Sequence, residues 1–373
     1  MLSFLPSDEE RAFVEVAQQF ARERLRESAR EAEKARTPGD DLVSAAHELG
    51  LLSLEIPESL AGAELPLISQ VQVLEALAHG DLGIVQGLPG LCDSASVMRV
   101  LPQPERLELA DGAAQRVPWL HLSPNEVAVI VERSGFRLEG VAFPRRSTLG
   151  ADQLLVSFLA PGGEAIVAWL DRTAAEWSED AGDVRLGLLA AHIGRIGFEG
   201  TIVRPEDVLL RGDEAERVIR EAQARVAVLE AAKCVGAMRA SLEYTIEYTS
   251  QRKAFGQEIP KFQGVSFTVA DMAIETEAAR NLVWQAAHAV DQQGAGALQA
   301  AARALAYALR SARFVTNQGV QMLGGAGYLQ EYPVEKWMRD VQAQAVLYGR
   351  EMDWYERAGA RALGLEEKEG VLV

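Results

Sequence analysis

The chain has 373 residues, with 54 acidic against 37 basic side chains and a formal net charge of −17. That surplus excludes nucleic-acid binding through Lys/Arg clusters and offers no attraction to an anionic bilayer. A hydrophobic content of 48% with 24% charged residues belongs to a globular chain, not a disordered one. No run reaches the roughly 18 uninterrupted apolar residues of a membrane helix. The start, Met1 to Arg11, is acidic where a secretory signal needs a basic and then an apolar stretch. Two cysteines, Cys92 and Cys234, are too few for a disulfide framework or a zinc site. The expectation is a cytoplasmic protein with neither nucleic acid nor membrane as a partner.

Residues 1–115 read as a helical domain. Ser7 and Glu10 are spaced as a capping box, and Phe13, Val14, Ala17, Phe20, Ala21 and Leu25 then recur at helical intervals. Asp40 and Asp41 open a second helix over 42–49, stopped by Gly50. A third covers 69–79 and ends at Gly80. Residues 116–212 change to β character. Val127 to Val131 is a β-branched run, and Phe136 to Glu139 alternates. Residues 154–159 and 165–170 flank Pro161-Gly162-Gly163 as a hairpin. Arg204-Pro205 is expected to end the last strand. Residues 213–373 are helical again, with long periodic segments at 215–250, 262–288 and 296–322. Such lengths predict a bundle that buries its apolar faces, in one chain and between copies. The expected fold class is therefore α+β, mainly α: a helical N-terminal domain, a β-barrel-like middle domain and a C-terminal four-helix bundle.

The local motifs each carry two readings. Gln321-Met322-Leu323-Gly324-Gly325-Ala326-Gly327-Tyr328 is either a helix C-cap or a place where backbone approaches a ligand. No strand precedes it, so it is not a dinucleotide fingerprint. Arg252 and Lys253 at the end of a long helix either offset its dipole or face a phosphate. None of the five histidines pairs with another at helical metal-ligand spacing, and no metal site is expected.

Taken together these segments resemble the acyl-CoA dehydrogenase family. The resemblance rests on Tyr248 with Arg252-Lys253-Ala254-Phe255-Gly256, on Phe262-Gln263, on the Gln321 to Tyr328 segment, and on Tyr332-Pro333-Val334-Glu335-Lys336-Trp337-Met338-Arg339-Asp340. Weaker echoes, such as Glu48-Leu49-Gly50-Leu51 and Val203-Arg204-Pro205, spread it over nearly the whole chain. It implies a flavin-dependent oxidoreductase acting on acyl-CoA thioesters. Such an enzyme has a carboxylate base for the α-proton, FAD for the β-hydride and an apolar tunnel for the acyl chain.

Residue by residue, the implied site is incomplete. Counting from Arg339-Asp340, the family's usual base position is Tyr348, and its alternative position, counted back from Arg252, is Val226. A phenol is a poor base at neutral pH. Glu230, one turn beyond Val226 on the same face, is the candidate for a displaced base. The flavin-ring motifs are also altered. Trp119-Leu120-His121-Leu122-Ser123-Pro124 stands where the family has Thr-Glu-Pro, Pro144 replaces the tryptophan that covers the ring, and Arg146 replaces the adjoining threonine. Arg350 stands at a further cofactor contact. These changes speak against a normally held FAD. By contrast, Arg252, Phe255, Gln263, Gln321, Gly324 and Gly325 match positions with which the family addresses FAD, several of them across a subunit interface.

Three readings follow. One is a divergent dehydrogenase of low or no activity. Another is a non-catalytic homologue that binds an acyl-CoA or related thioester. The third is an interaction subunit that completes the FAD site of a catalytic relative. A homodimer or homotetramer is expected, or a hetero-oligomer with that relative.

Overall fold

In the computed structural model of the protein the described residues are 8–91, 93–107, 109, 115–182, 184–294, 296–349 and 351–363. The expected cap at Ser7, and Cys92 and Arg350, lie outside them. The first part contains α1 (Asp8–Phe20), a π-turn at Ala21–Leu25, α2 (Arg26–Ala35), α3 (Asp40–Glu48), α4 (Leu67–Gly80), α5 (Leu82–Gly87) and α6 (Asp93–Val100). Gly50 stops α3 with a left-handed φ of 71°. Gly80 lies inside α4 and not beyond its end. An added Cβ there would meet the carbonyl oxygen of Ala21 at 2.7 Å, so the glycine lets α4 press onto the π-turn. Asp81 then caps α5, its carboxylate accepting from the Ile84 N–H at 2.8 Å. Helix α5 is buried on every side and α6 is a little over two turns long, so neither shows a helical period in sequence.

The middle part contains β1 (Trp119–His121), β2 (Val127–Glu132), β3 (Gly135–Ala142), β4 (Gln153–Leu159), β5 (Ala165–Asp171), β6 (Ser178–Asp180), β7 (Arg195–Val203) and β8 (Val208–Arg211). The 154–170 hairpin is present as β4–β5, with Leu155 opposite Trp169. Two expectations are corrected. Pro205 does not end the last strand, because β8 follows and pairs with β5. Nor do the strands close into a barrel: they form two four-stranded sheets, β1-β4-β5-β8 and β2-β3-β7-β6. Phe136, Leu138 and Phe198 of one sheet pack with Val156, Phe158 and Ile166 of the other. Face-to-face burial of two short-edged sheets satisfies the alternating pattern without closure.

The last part contains α7 (Gly212–Gln251), the two-residue strands β9 (Lys253–Ala254) and β10 (Gln257–Glu258), α8 (Gln263–Asp291), α9 (Ala297–Leu323), a 3-10 turn at Gly324–Tyr328, α10 (Val334–Leu347) and α11 (Glu351–Ala362). Helix α7 is the spine. Its Val228, Ala231 and Val235 share one apolar core with Leu77 of α4, Val283 of α8 and Leu305 of α9. Both helical parts are therefore built on a single core, and the β sandwich packs on its flank. Lys336 and Asp340 of α10 serve this assembly. Lys336 Nζ donates to Asp81 at 2.6 Å and to Asp340 at 2.7 Å, and Asp340 accepts from the Leu188 N–H at 2.6 Å. Among the described residues no helix is long and apolar enough to cross a membrane.

Candidate active-site cavity

A cavity of about 540 Å3 opens where the sandwich meets the bundle. Trp119, His121 and Ser123, in and just after β1, line one wall with Pro144 and Arg145 from the β3–β4 connection. Val226 of α7 and Tyr348, the residue after α10, line the facing wall, together with Asp93 from the first turn of α6. The two positions counted from the sequence as base sites, Val226 and Tyr348, thus meet at one cavity although 122 residues separate them. The 40-residue span of α7 places Val226 there, and the stop of α10 places Tyr348.

Tyr348 is fully buried. Its hydroxyl donates to Asp93, 3.2 Å from each carboxylate oxygen. Burial, and then the Asp93 charge, push the phenol well above its usual range, so it keeps its proton at neutral pH. Burial, and then the Glu230 charge, also raise the Asp93 carboxyl. The Arg145 guanidinium lies 5.8 Å over the Tyr348 ring, bridging the two walls.

Glu230 does not line this cavity. Its carboxylate is held by Lys233, by Arg146 Nη1 at 3.1 Å, by Gln86 Nε2 at 2.5 Å and by Gln344. Burial alone would raise its pKa, but Lys233 and Arg146 pull it below the usual value. Lys233, buried and facing Arg146, is lowered to about 8. Glu230 therefore sits at the centre of an ion network tying together α5, the β3–β4 connection, α7 and α10. A small neighbouring void is lined by Asp93, Glu230, Lys233, Ser96 and Glu55. There Glu55 accepts from Arg225 Nε at 2.5 Å and Nη2 at 2.8 Å, and from Ser96 Oγ at 2.9 Å. That void shares Asp93 and Val226 with the cavity, and Leu74, Leu91 and Leu229 also line it.

Two of the positions expected to touch a flavin ring within the chain are Arg146 and Pro144. Arg146 turns away from the cavity: besides Glu230 it donates to the Gln86 carbonyl from Nε and to the Val85 carbonyl from Nη2, each at 3.3 Å. Pro144 offers no aromatic cover. The other half of the expected cofactor set is elsewhere. Arg252, Phe255, Gln263, Gln321, Gly324 and Gly325 are all exposed, Phe255 by 95%. The end of α7 and the Gly324–Tyr328 turn lie at one end of the bundle, because Tyr244 and Tyr248 share a cluster with Leu323, Ala326 and Tyr332. An added Cβ at Gly324 or Gly325 meets no atom within 4 Å, so both backbones face open space. Sequence reasoning missed Asp93. It belongs to no motif, and its only sequence signal is a carboxylate opening a short helix.

Family models described as the acyl-CoA dehydrogenase C-terminal and N-terminal domains match residues 217–352 and 7–99. A benzylmalonyl-CoA dehydrogenase of Aromatoleum aromaticum is 26% identical over 91% of this chain and 94% of its own length. The mitochondrial short-chain specific acyl-CoA dehydrogenase of Sus scrofa is 23% identical over 88% of this chain and 84% of its own. The solved butyryl-CoA dehydrogenase of Megasphaera elsdenii superposes with a TM-score of 0.84 at 23% identity, covering 97% of this chain and 100% of that one.

Proposed function

The chain belongs to the acyl-CoA dehydrogenase family, and from that premise we propose that it binds an acyl thioester in the cavity between β sandwich and bundle while dehydrogenating it slowly or not at all. The observation that carries this is the Tyr348–Asp93 hydrogen bond at the usual base position. A general base needs both reach and a pKa near the working pH. Tyr348 has the reach, but its proton is held tightly. Val226 has no proton-accepting group, and Glu230 is neutralised inside the ion network. The cavity itself remains open, with cationic Arg145, Arg185 and Arg195 along it suited to an anionic thioester carrier.

The test combines three measurements on the purified chain: its visible spectrum, dye-coupled turnover of butyryl-CoA, and calorimetric titration with the same thioester. The expected result is no flavin band, no turnover above background, and saturable binding. Turnover of roughly 1–10³ per second overturns the catalytic part, and absence of binding overturns the ligand part.

A second reading is favoured by the exposed half-site. Arg252, Phe255, Gln321, Gly324 and Gly325 need neither a base nor a bound ring in this chain to contact FAD held by a catalytic relative. In this reading the chain is a subunit of a mixed oligomer.

A further inference from the structure

Among the described residues that line the main cavity, Asp93 is a buried carboxylate that keeps acceptor capacity in hand, whereas Glu126, the other carboxylate there, is exposed. An ionised carboxylate offers about four acceptor sites. The hydrogen bond that Asp93 receives is the single O–H of Tyr348, shared between its oxygens. The nearest cation does not complete it. Arg146 Nη1 stands 3.9 Å from Asp93 Oδ1, beyond hydrogen-bond distance, and its guanidinium is already committed to Glu230 and two carbonyls. Lys233 donates to Glu230 and to Gln86 Oε1. Arg145 lies over the Tyr348 ring. Glu230, by contrast, is surrounded by four donor groups. The two carboxylates are similarly buried, yet one is saturated and the other faces the cavity.

Burial and the Glu230 charge raise the Asp93 carboxyl, and a buried carboxylate with so few donors stays ionised at low cost only where a cationic ligand supplies the rest. An alkyl chain reaching this point strips Asp93 of water and returns nothing. A cationic donor returns a charge-assisted hydrogen bond, about twice as strong as a neutral one. Resting on the thioester-binding reading above, we infer that this cavity selects a short acyl group ending in a protonated amine, with Asp93 as its counter-ion and Tyr348 as the group that orients Asp93.

The experiment compares 3-aminopropionyl-CoA with butyryl-CoA, which match in chain length and differ in an ammonium against a methyl group. Calorimetric titration of the full chain is expected to give about 10- to 100-fold tighter binding of the amino thioester, the range of a hydrogen bond to a charged group. Asp93→Asn is expected to remove that preference. Tyr348→Phe, which frees Asp93 to rotate, is expected to reduce the preference partly. Equal binding of the two thioesters by the wild-type chain, or tighter binding of butyryl-CoA, overturns this inference and leaves the thioester-binding reading standing. Binding of neither overturns both. A preference that survives in folded Asp93→Asn overturns the assignment of Asp93. The wild-type comparison decides the matter even if that variant does not fold.

Discussion

Tyr348 and Asp93, 255 positions apart in sequence, are joined by one hydrogen bond at the inner wall of the cavity. That bond ties the end of α10 to the start of α6. It also fixes the chemistry of the position. A phenol whose proton is directed at a carboxylate, with Arg145 over its ring, is poorly placed to accept a proton.

Tyr348→Glu supplies the carboxylate that the family resemblance implies at this position, and it is expected not to restore activity. The new carboxylate would lie against Asp93, and two buried carboxylates repel. The Pro144 and Arg145 wall is unchanged by the substitution. Turnover of butyryl-CoA should stay at background, and stability should fall by on the order of 3 kcal/mol through loss of the buried ring. Dye-coupled kinetics and urea unfolding check both. A turnover rise of 100-fold or more would show that the base alone was missing.

Glu230 is expected to matter for stability and not for proton transfer. Arg146→Met leaves Glu230 short of a partner and two carbonyls without their donor, at a cost of about 3–5 kcal/mol. In a double-mutant cycle with Glu230→Gln the two effects should couple by on the order of 1–3 kcal/mol. Additive losses in urea unfolding would mean that the network is not cooperative. A residual activity that drops 10²–10⁴-fold in Glu230→Gln, the range for loss of a general base, would reinstate it as one.

The Glu55–Arg225 pair sets an acid limb. Burial alone would raise the Glu55 carboxyl, but Arg225 holds it below its usual 4.5. A depressed folded-state pKa means stability that is present above 4.5 and is lost as pH falls through the folded value. Glu55→Gln should therefore cost about 3–5 kcal/mol at pH 7, where it leaves Arg225 buried without its partner. The gap to wild type should narrow as pH drops below 4.5. Urea midpoints at pH 7 and pH 3 give the comparison, and a gap that is constant or widens in acid contradicts it.

How much of this was readable beforehand depended on range. The periodic segments 215–250, 262–288 and 296–322 became α7, α8 and α9 nearly residue for residue, because a long amphipathic period is a local signal. The 154–170 hairpin was equally local. The closure of the sheets was not, since alternation tells which face is buried but not whether strands pair at the edges. Tyr348 and Val226 were found by counting along motifs. Asp93 could not be, because its meaning comes only from α6 packing beside the end of α10. Glu230 was legible as a carboxylate on the right face of α7. Its neutralisation was not, because the partners Gln86, Arg146 and Gln344 come from three other segments.

The exposed half-site gives the last prediction. Phe255 has almost no contact surface to lose, so Phe255→Ala should change the unfolding free energy of the isolated chain by no more than about 0.5 kcal/mol. Arg252, exposed at the C-terminal end of α7, should be similarly neutral, apart from a few tenths of a kcal/mol for its place against the helix dipole. If these residues complete a partner's cofactor site, their effect appears only in the assembly. Co-expression with a catalytic relative from the same source should give a mixed oligomer whose bound FAD is measured after denaturation. Arg252→Ala should lower that FAD content several-fold while the oligomer still forms, since a guanidinium facing a pyrophosphate supplies charge-assisted hydrogen bonds that alanine cannot. Gly324→Ala should act in the same direction, by blocking backbone approach and by forcing a side chain onto a φ of 58°. Unchanged FAD in both variants, or no mixed oligomer at all, would leave these residues as the ends of helices and nothing more.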